Sequence, residues 1–409
     1  MVRKIESVQR LIAQKIIRSF KTVSYEAALT LSGLSPVIGR IHERALSYAV
    51  KHPNHYVHRI PNSHIDYTLV LSENYGIDLK KFESLNTISS SPPHLASEPK
   101  VSTSTLPDYP LFQKNTINIY TDGSKTNSGT GCAFVLFRST SIEHGQCKLG
   151  TDNSVYQAEL TAILHSFKHI LTLPIYECFS QINIFSDSIA SLLSIKDSQT
   201  KNSIAQEIQK FVKFFSLFTI VKFNWCKGHN NILGNEMADF FAKESTLNPI
   251  CLLKELPLPI SHLKSTVKAK SLSTWVNRWQ KSTNGQVTHS FIPDSIPKHL
   301  ISKTFSHKLT QVLTGHCKLN FFLNSIGKTL DPSCPCGKGI ETVHHYLWEC
   351  QLEEVNRAST IRKACFSQGI PYPPKNNLLL QNEILFKALC KFLSNSFELI
   401  CKCIFSILV

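Results

Sequence analysis

Thr116-Ile117-Asn118-Ile119-Tyr120-Thr121-Asp122-Gly123-Ser124 is the stretch on which the reading of this chain turns. Apolar and polar side chains alternate over its first six residues, the period of a strand with two distinct faces. The run stops at an acid followed by Gly and Ser, residues that favour turns. Downstream, residues 131–137 (GCAFVLF) read as a buried strand, and a third short strand is expected near 144–149. From Ser154 to Leu173 the spacing becomes helical, with Ala158, Ala162, Ile163, Phe167 and Ile170 recurring until Pro174. Residues 182–186 (INIFS) form the next expected strand and end at Asp187. Helices are expected over 188–195 and 203–217, and a last strand over 219–225 (TIVKFNW). Asn235 reads as the N-cap of a helix reaching about Lys243, with Glu236 in its first turn. The order predicts an α/β fold: a mixed five-stranded sheet with flanking helices.

Four acids occupy comparable places in this pattern. Asp122 and Asp187 end strands, Glu159 lies near the start of the long helix, and Asp239 lies inside the last one. Taken singly, each is an ordinary turn or surface acid. Jointly, strand ends and neighbouring helices converge on one rim, where α/β sheets collect their ligands. Carboxylates crowded there repel one another unless a cation neutralises them. Hard oxygen donors suit Mg²⁺ or Mn²⁺, and two such ions can drive in-line attack on a phosphodiester.

The strings that carry these acids resemble the motifs of ribonuclease H domains. They are Tyr120-Thr121-Asp122-Gly123-Ser124 with Gly129-Thr130-Gly131-Cys132-Ala133, Gln157-Ala158-Glu159-Leu160, and Phe185-Ser186-Asp187-Ser188. Trp225-Cys226-Lys227-Gly228-His229 followed by Gly234-Asn235-Glu236-Met237-Ala238-Asp239 is the most specific of them. The resemblance implies a ribonuclease H-like fold and endonucleolytic cleavage of the RNA strand in an RNA–DNA hybrid, with two Mg²⁺ or Mn²⁺ ions and no small-molecule cofactor. It implies that Asp122 bridges both ions and that Asp239 completes the site that activates water. Glu159 and Asp187 would then face the leaving 3′ oxygen, and His229 would assist proton transfer or product release. Gly123 and Ser124 are the candidates for reading the 2′-hydroxyls. Cys226 and Lys227 depart from the family's usual Val-Pro before the Gly-His pair.

Composition bounds the rest. The 409 residues carry 44 Lys and Arg against 29 Asp and Glu, a formal +15, which favours a polyanionic partner. The surplus lies in the flanks: residues 1–60 carry +7 and 246–333 carry +8, whereas 114–245 carry +1. The expected organisation is a helical segment (1–62), a Ser/Pro-rich linker (63–112), the ribonuclease H domain (113–246), a basic connection (247–330), a knuckle (331–352) and a helical C-terminal segment (353–409). Ile5, Val8, Leu11, Ile12, Ile16 and Ile17 are expected to form the apolar face of one helix within 2–31, and 299–313 another helix. Residues 2–45 resemble the end of a non-LTR retrotransposon reverse transcriptase, although no Tyr-x-Asp-Asp string is present. Cys334, Cys336, His345 and Cys350 fall within seventeen residues, a donor set for one structural Zn²⁺, with His344 as an alternative ligand. They resemble the knuckle of the same elements. The apolar stretch 384–409 is broken by lysines and reads as a packing helix rather than a membrane anchor. Thirteen cysteines without a signal peptide point to an intracellular protein, nuclear or cytoplasmic, with reduced thiols. The competing readings are a catalytically idle nucleic-acid-binding relic and a DNA-cutting integrase-like enzyme.

Overall fold

The computed structural model describes residues 2–52, 66–84, 100–102, 112, 114–139, 141–173, 179–228, 230–251, 253–301 and 305–396. In chain order, four helices come first: α1 (Val2–Ile16), α2 (Tyr25–Ser32), α3 (Val37–Lys51) and α4 (Tyr67–Tyr75). Strands β1 (Lys100–Ser102), β2 (Thr116–Thr126), β3 (Gly129–Arg138) and β4 (Ser141–Leu149) lead to α5 (Val155–Ile170) and β5 (Gln181–Ser186). Then follow α6 (Ile189–Lys196), α7 (Ser203–Phe215), β6 (Ile220–Trp225), α8 (Leu233–Leu247) and α9 (Ile260–Gln280). Helices α10 (Gln286–Phe291), α11 (His307–Thr314), α12 (Asn320–Ser325) and α13 (Val343–Trp348) come next. The last are α14 (Glu354–Arg357), α15 (Lys363–Ser367), α16 (Leu378–Gln381) and α17 (Glu383–Asn395).

The chain divides into two compact units, one of residues 43–266 and the other of residues 1–42 together with 267–409. In the first, the sheet order is β1-β6-β5-β2-β3-β4. β2, β3 and β4 are antiparallel neighbours, whereas β2–β5, β5–β6 and β6–β1 are parallel. The five expected strands are all there. A sixth, the three-residue β1, comes from the stretch read as linker and pairs with Lys222–Asn224 of β6.

Alternation along β2 sends its side chains to two cores. Ile117 and Ile119 join Leu160, Ile163, Phe167, Ile184 and Phe223 on one face. Tyr120 joins Phe137, Phe185 and Ala238 on the other. Helix α5 opens on a capping box, with Ser154 accepting from Gln157 N and the Gln157 side chain accepting from Ser154 N. Helix α8 lies close against the sheet because two glycines make room. A Cβ at Gly234 would collide with the Tyr120 ring, and one at Gly131 would strike Ser245 Oγ and lie 2.6 Å from Ala242 O.

Several expectations need correcting. α8 begins at Leu233 with Ile232 at the N-cap and no side-chain cap. Asn235 is therefore inside the helix and 3% exposed, where its Oδ1 accepts a hydrogen bond from Cys226 Sγ at 3.2 Å. Part of the expected linker is helical: α4 is capped by the Asp66 carboxylate and ends on Gly76 in the left-handed region. The helix expected over 2–31 is two, broken after Ile16 where Arg18 takes a positive φ of 55°. The face of α1 turned inward is Ala13, Gln14 and Ile17; Val8, Leu11, Ile12 and Ile16 are about half exposed. Helix α11 starts only at His307, capped by Ser306, and a short 3₁₀ turn covers 298–300.

The second unit joins segments more than two hundred residues apart. Ala13, Ile17, Leu29, Trp275, Trp279, Phe291, Val312, Tyr346, Leu389 and Phe392 share one core. Arg278 pairs with Glu6 at 2.9 Å and Glu26 at 2.8 Å while lying over the Tyr25 ring. Trp279 is fully buried and donates its Nε1–H to Ile292 O at 2.8 Å. Among the described residues, no helix is long and apolar enough to cross a membrane.

The glycine contacts yield a direct test. Gly131→Ala has no room for its methyl between β3 and α8, and overpacking of this kind costs about 1–3 kcal/mol. Its urea midpoint should fall accordingly, with the cooperativity of unfolding unchanged.

Candidate active site

Parallel pairing aligns the strand ends. Thr121 of β2 is in register with Ser186 of β5, and Ser186 with Trp225 of β6. The next residues on the first two strands, Asp122 and Asp187, therefore reach the same rim. Gly123 brings in the third acid: a Cβ there would lie 2.7 Å from Glu159 N and 2.9 Å from Ala158 Cβ. Only a bare backbone lets the first turns of α5 come this close, so the Gly behind Asp122 is a packing requirement of the site.

Asp122, Glu159 and Asp187 each offer a carboxylate oxygen, and the three oxygens lie within 4.8 Å of one another. Asp122 is 6% and Glu159 5% exposed. Burial pushes the Asp122 carboxyl up to about 7, helped by repulsion from Asp187 and Asp239 and opposed by the Gly123 backbone hydrogen bond. Glu159 is raised by burial first and then by Asp122 and Asp187. Its Oε2 is a buried oxygen without a hydrogen-bond partner. Asp239, on α8, adjoins Asp122 but stands outside the tight group of three, and its Oδ2 accepts from Lys243 Nζ at 2.6 Å. The structure thus brings the four predicted acids to one rim. Desolvated, mutually repelling oxygens with one orphaned lone-pair set fit a divalent cation.

The segment after β6 closes against Asp187. Trp225 Nε1 donates to Asp187 O at 3.0 Å, and a Cβ at Gly228 would lie 2.6 Å from Asp187 Oδ2. His229, the predicted proton-transfer residue, lies outside the described residues. Ser124 is half-buried on β2 just beyond the acids, and Gly123 is buried with its backbone engaged by them. Sequence reasoning missed Lys243 and Gly228. The i,i+4 spacing of Asp239 and Lys243 on one helix was a usable signal; nothing local pointed from Gly228 to Asp187.

The second predicted donor set also converges. One atom each from Cys334, Cys336, His345 and Cys350 lies within 4.8 Å of the others. Cys334 Sγ is 3.7 Å from Cys350 Sγ, and Cys336 Sγ is 3.2 Å from His345 Nε2. A Zn–S distance of about 2.3 Å permits sulfurs around one ion to stand up to about 4.6 Å apart. The tight Cys-Pro-Cys spacing works because the chain turns back at once: Gly337 takes φ 71°, and Cys334 N–H donates to Gly339 O at 2.8 Å. His345 is 3% exposed and faces the cysteines, whereas the alternative, His344, is exposed and pairs with Glu349 at 3.4 Å. Glu349 also meets His345 Nδ1 at 3.2 Å, which leaves Nε2 free to ligate.

With this geometry established, comparison defines its class. The ribonuclease H family matches residues 114–246, so the sheet with its rim of acids is a ribonuclease H domain. Its relatives are retrotransposon polyproteins. The chain is 37% identical over 108 residues to the Pol polyprotein of the type-1 retrotransposable element R1 of Bradysia coprophila, 26% of this chain and 11% of that protein. To an R1 Pol polyprotein of Nasonia vitripennis it is 32% identical over 97 residues, 23% of this chain and 25% of the relative. A second from the same wasp is 27% identical over 139 residues, covering 34% and 33%. The domain thus belongs to the ribonuclease H family, and the chain resembles R1 retrotransposon Pol polyproteins over part of its length. The chain spans between about a tenth and a third of the length of these relatives.

The electrostatics predict a pH effect on stability. An acid whose folded pKa lies above its unfolded value stabilises the fold below the unfolded pKa, and that contribution is lost as pH rises through the folded one. With a chelator present, the melting temperature should therefore fall as pH rises from about 4 and level off once pH passes about 7. Asp122→Asn should flatten the fall and melt higher than the parent at pH 8; thermal scans across pH read this directly.

Proposed function

We propose that this protein is a metal-dependent endonuclease that hydrolyses the RNA strand of RNA–DNA hybrids. The observation that carries the reading is the group of three converging carboxylates, two of them buried and Asp187 half-buried, with Asp239 beside it, on a ribonuclease H domain. Asp122, Glu159, Asp187 and Asp239 would hold two Mg²⁺ or Mn²⁺ ions. When bound, such a pair supplies the positive charge that activates the attacking water and neutralises the leaving 3′ oxygen.

The chain's own residues do the rest. Asp122, which interacts with Glu159, Asp187 and Asp239 alike, would be held in common by the two ions, with Asp239 on the water-activating side and Glu159 and Asp187 on the leaving-group side. Lys243 orients the Asp239 carboxylate through their ion pair. His229, of the Gly228-His229 string, would move the proton. Ser124 is positioned next to the acids to contact the 2′-hydroxyl that separates RNA from DNA.

Grip on the polyanion is assigned to the other unit. Residues 1–42 and 267–409 hold 24 basic and 10 acidic side chains, so this unit carries +14 of the protein's +15. A Zn²⁺ held by Cys334, Cys336, His345 and Cys350 would organise its knuckle.

Purified protein with Mg²⁺ should cut RNA in a hybrid, leave duplex DNA intact and stop on chelation. Asp122→Asn and Asp187→Asn should each reduce cutting to background while circular dichroism stays unchanged. Undiminished cleavage by either variant would refute the site, and hybrid binding without cleavage by the parent would favour the idle relic. Elemental analysis should find about one zinc per chain, lost in His345→Ala. Binding should weaken linearly in log–log salt titrations, the mark of phosphate neutralisation by lysines and arginines.

A further inference from the structure

Cys132 of β3 and Cys147 of β4 stand directly opposite one another in the antiparallel ladder. Their Sγ atoms are 2.9 Å apart in a pocket shared with Leu149, Ala158 and Ala162. The backbone is already suitable. Directly opposed residues in such a pair have Cα atoms about 4.5–5.5 Å apart, inside the range a disulfide spans. Only the sulfurs must approach, by about 1 Å, to reach bonding distance. The pair also lies beside the acid rim. Cys132 is in register with Gly123, the residue after Asp122, and Ala158 precedes Glu159.

The surroundings divide the two sulfurs into different roles. The hydrogen bond from Cys132 lowers the Cys147 thiol to about 5 against the opposing effect of burial, with His165 and Lys254 adding to the lowering. The same bond, together with burial, holds the Cys132 thiol well above its usual range. Cys147 is therefore the readier of the two to ionise and attack, and Cys132 the one that keeps its proton. With Cys132 0% and Cys147 3% exposed, only a small oxidant reaches them.

We propose that Cys132 and Cys147 form a modification site, a dithiol that a peroxide converts to a cross-strand disulfide stapling the edge strand β4 to β3. Cys147 Sγ attacks one peroxide oxygen; the O–O bond breaks, and the departing hydroxide takes a proton to become water. The sulfenic acid on Cys147 is then attacked by Cys132 Sγ. The S–S bond forms, the S–O bond breaks, and the second hydroxide leaves as water with the Cys132 proton. Two thiols and one hydrogen peroxide thus become one disulfide and two waters, with both sulfurs oxidised and both peroxide oxygens reduced. The bond closes a loop of moderate length, a cross-link that raises melting temperature by roughly 5 °C.

The test uses the full, zinc-loaded chain treated with hydrogen peroxide, quenched with catalase, then unfolded in guanidinium with iodoacetamide present and digested without reductant. Mass spectrometry should find a Cys132–Cys147 peptide pair and no alkylation at either residue, both reversed by dithiothreitol. The melting temperature should rise on oxidation of the parent but not of Cys132→Ala. In that variant dimedone should label Cys147 as a sulfenic acid after the same treatment. If Cys132→Ala does not fold, the peptide map of the parent decides alone. Two alkylated thiols after peroxide, or Cys147 joined to another cysteine such as Cys251, would overturn the proposal.

Discussion

Repulsion among buried carboxylates is the constraint around which this domain is organised. Three acids whose oxygens lie within 4.8 Å, two of them almost wholly out of water, are an arrangement no fold adopts for its own stability. Everything nearby holds them together in spite of that. Parallel pairing of β2 with β5 brings two of them to one rim, and the bare backbone of Gly123 lets α5 deliver the third. Gly234 and Gly131 let α8 lie close enough to bring Asp239 beside Asp122. The large apolar cores on both faces of the sheet supply the burial energy that offsets the cost.

The two units divide the physical work. The sheet domain is nearly neutral because its lysines and arginines are matched by acids, several of them gathered at the rim. The other unit holds almost all of the net positive charge and the cysteine–histidine cluster. Its coherence rests on contacts between distant parts of the chain. Arg278 spans Glu6 and Glu26, and the tryptophans of α9 join the core that α1 and α2 contribute to. Trp275 and Trp279, which a linear reading places in a basic segment, are buried and structural.

Much of the site was legible because its residues repeat a local logic. Singly, an acid after an alternating run or inside a helix is an ordinary turn or surface residue; the joint placement of the four and their ribonuclease H-like strings made them candidates. The convergence of Cys334, Cys336, His345 and Cys350 was legible from their spacing, since three thiols and an imidazole in a short turn-rich segment are a donor set for one metal ion. Misreadings arose where pattern and packing part. The apolar stripe of α1 predicts a buried face, yet Ala13, Gln14 and Ile17 are the residues turned inward, and Val8 and Ile12 are exposed. Asn235 has the chemistry of an N-cap, but α8 begins earlier, and the amide serves Cys226 instead.

The order of the five main strands with the helices between them and the excess of basic charge were determined by the sequence alone, because each is written in short-range periodicity and composition, and the candidate acids were picked out by the strings that carry them. Only the tertiary structure decided which acids share a rim and that Lys243 occupies Asp239. It alone set Gly228 against Asp187, made His345 rather than His344 face the thiols, and laid Cys132 opposite Cys147. Strand register and helix–sheet distance set those facts. Both depend on residues tens of positions apart meeting in space, which no local pattern encodes.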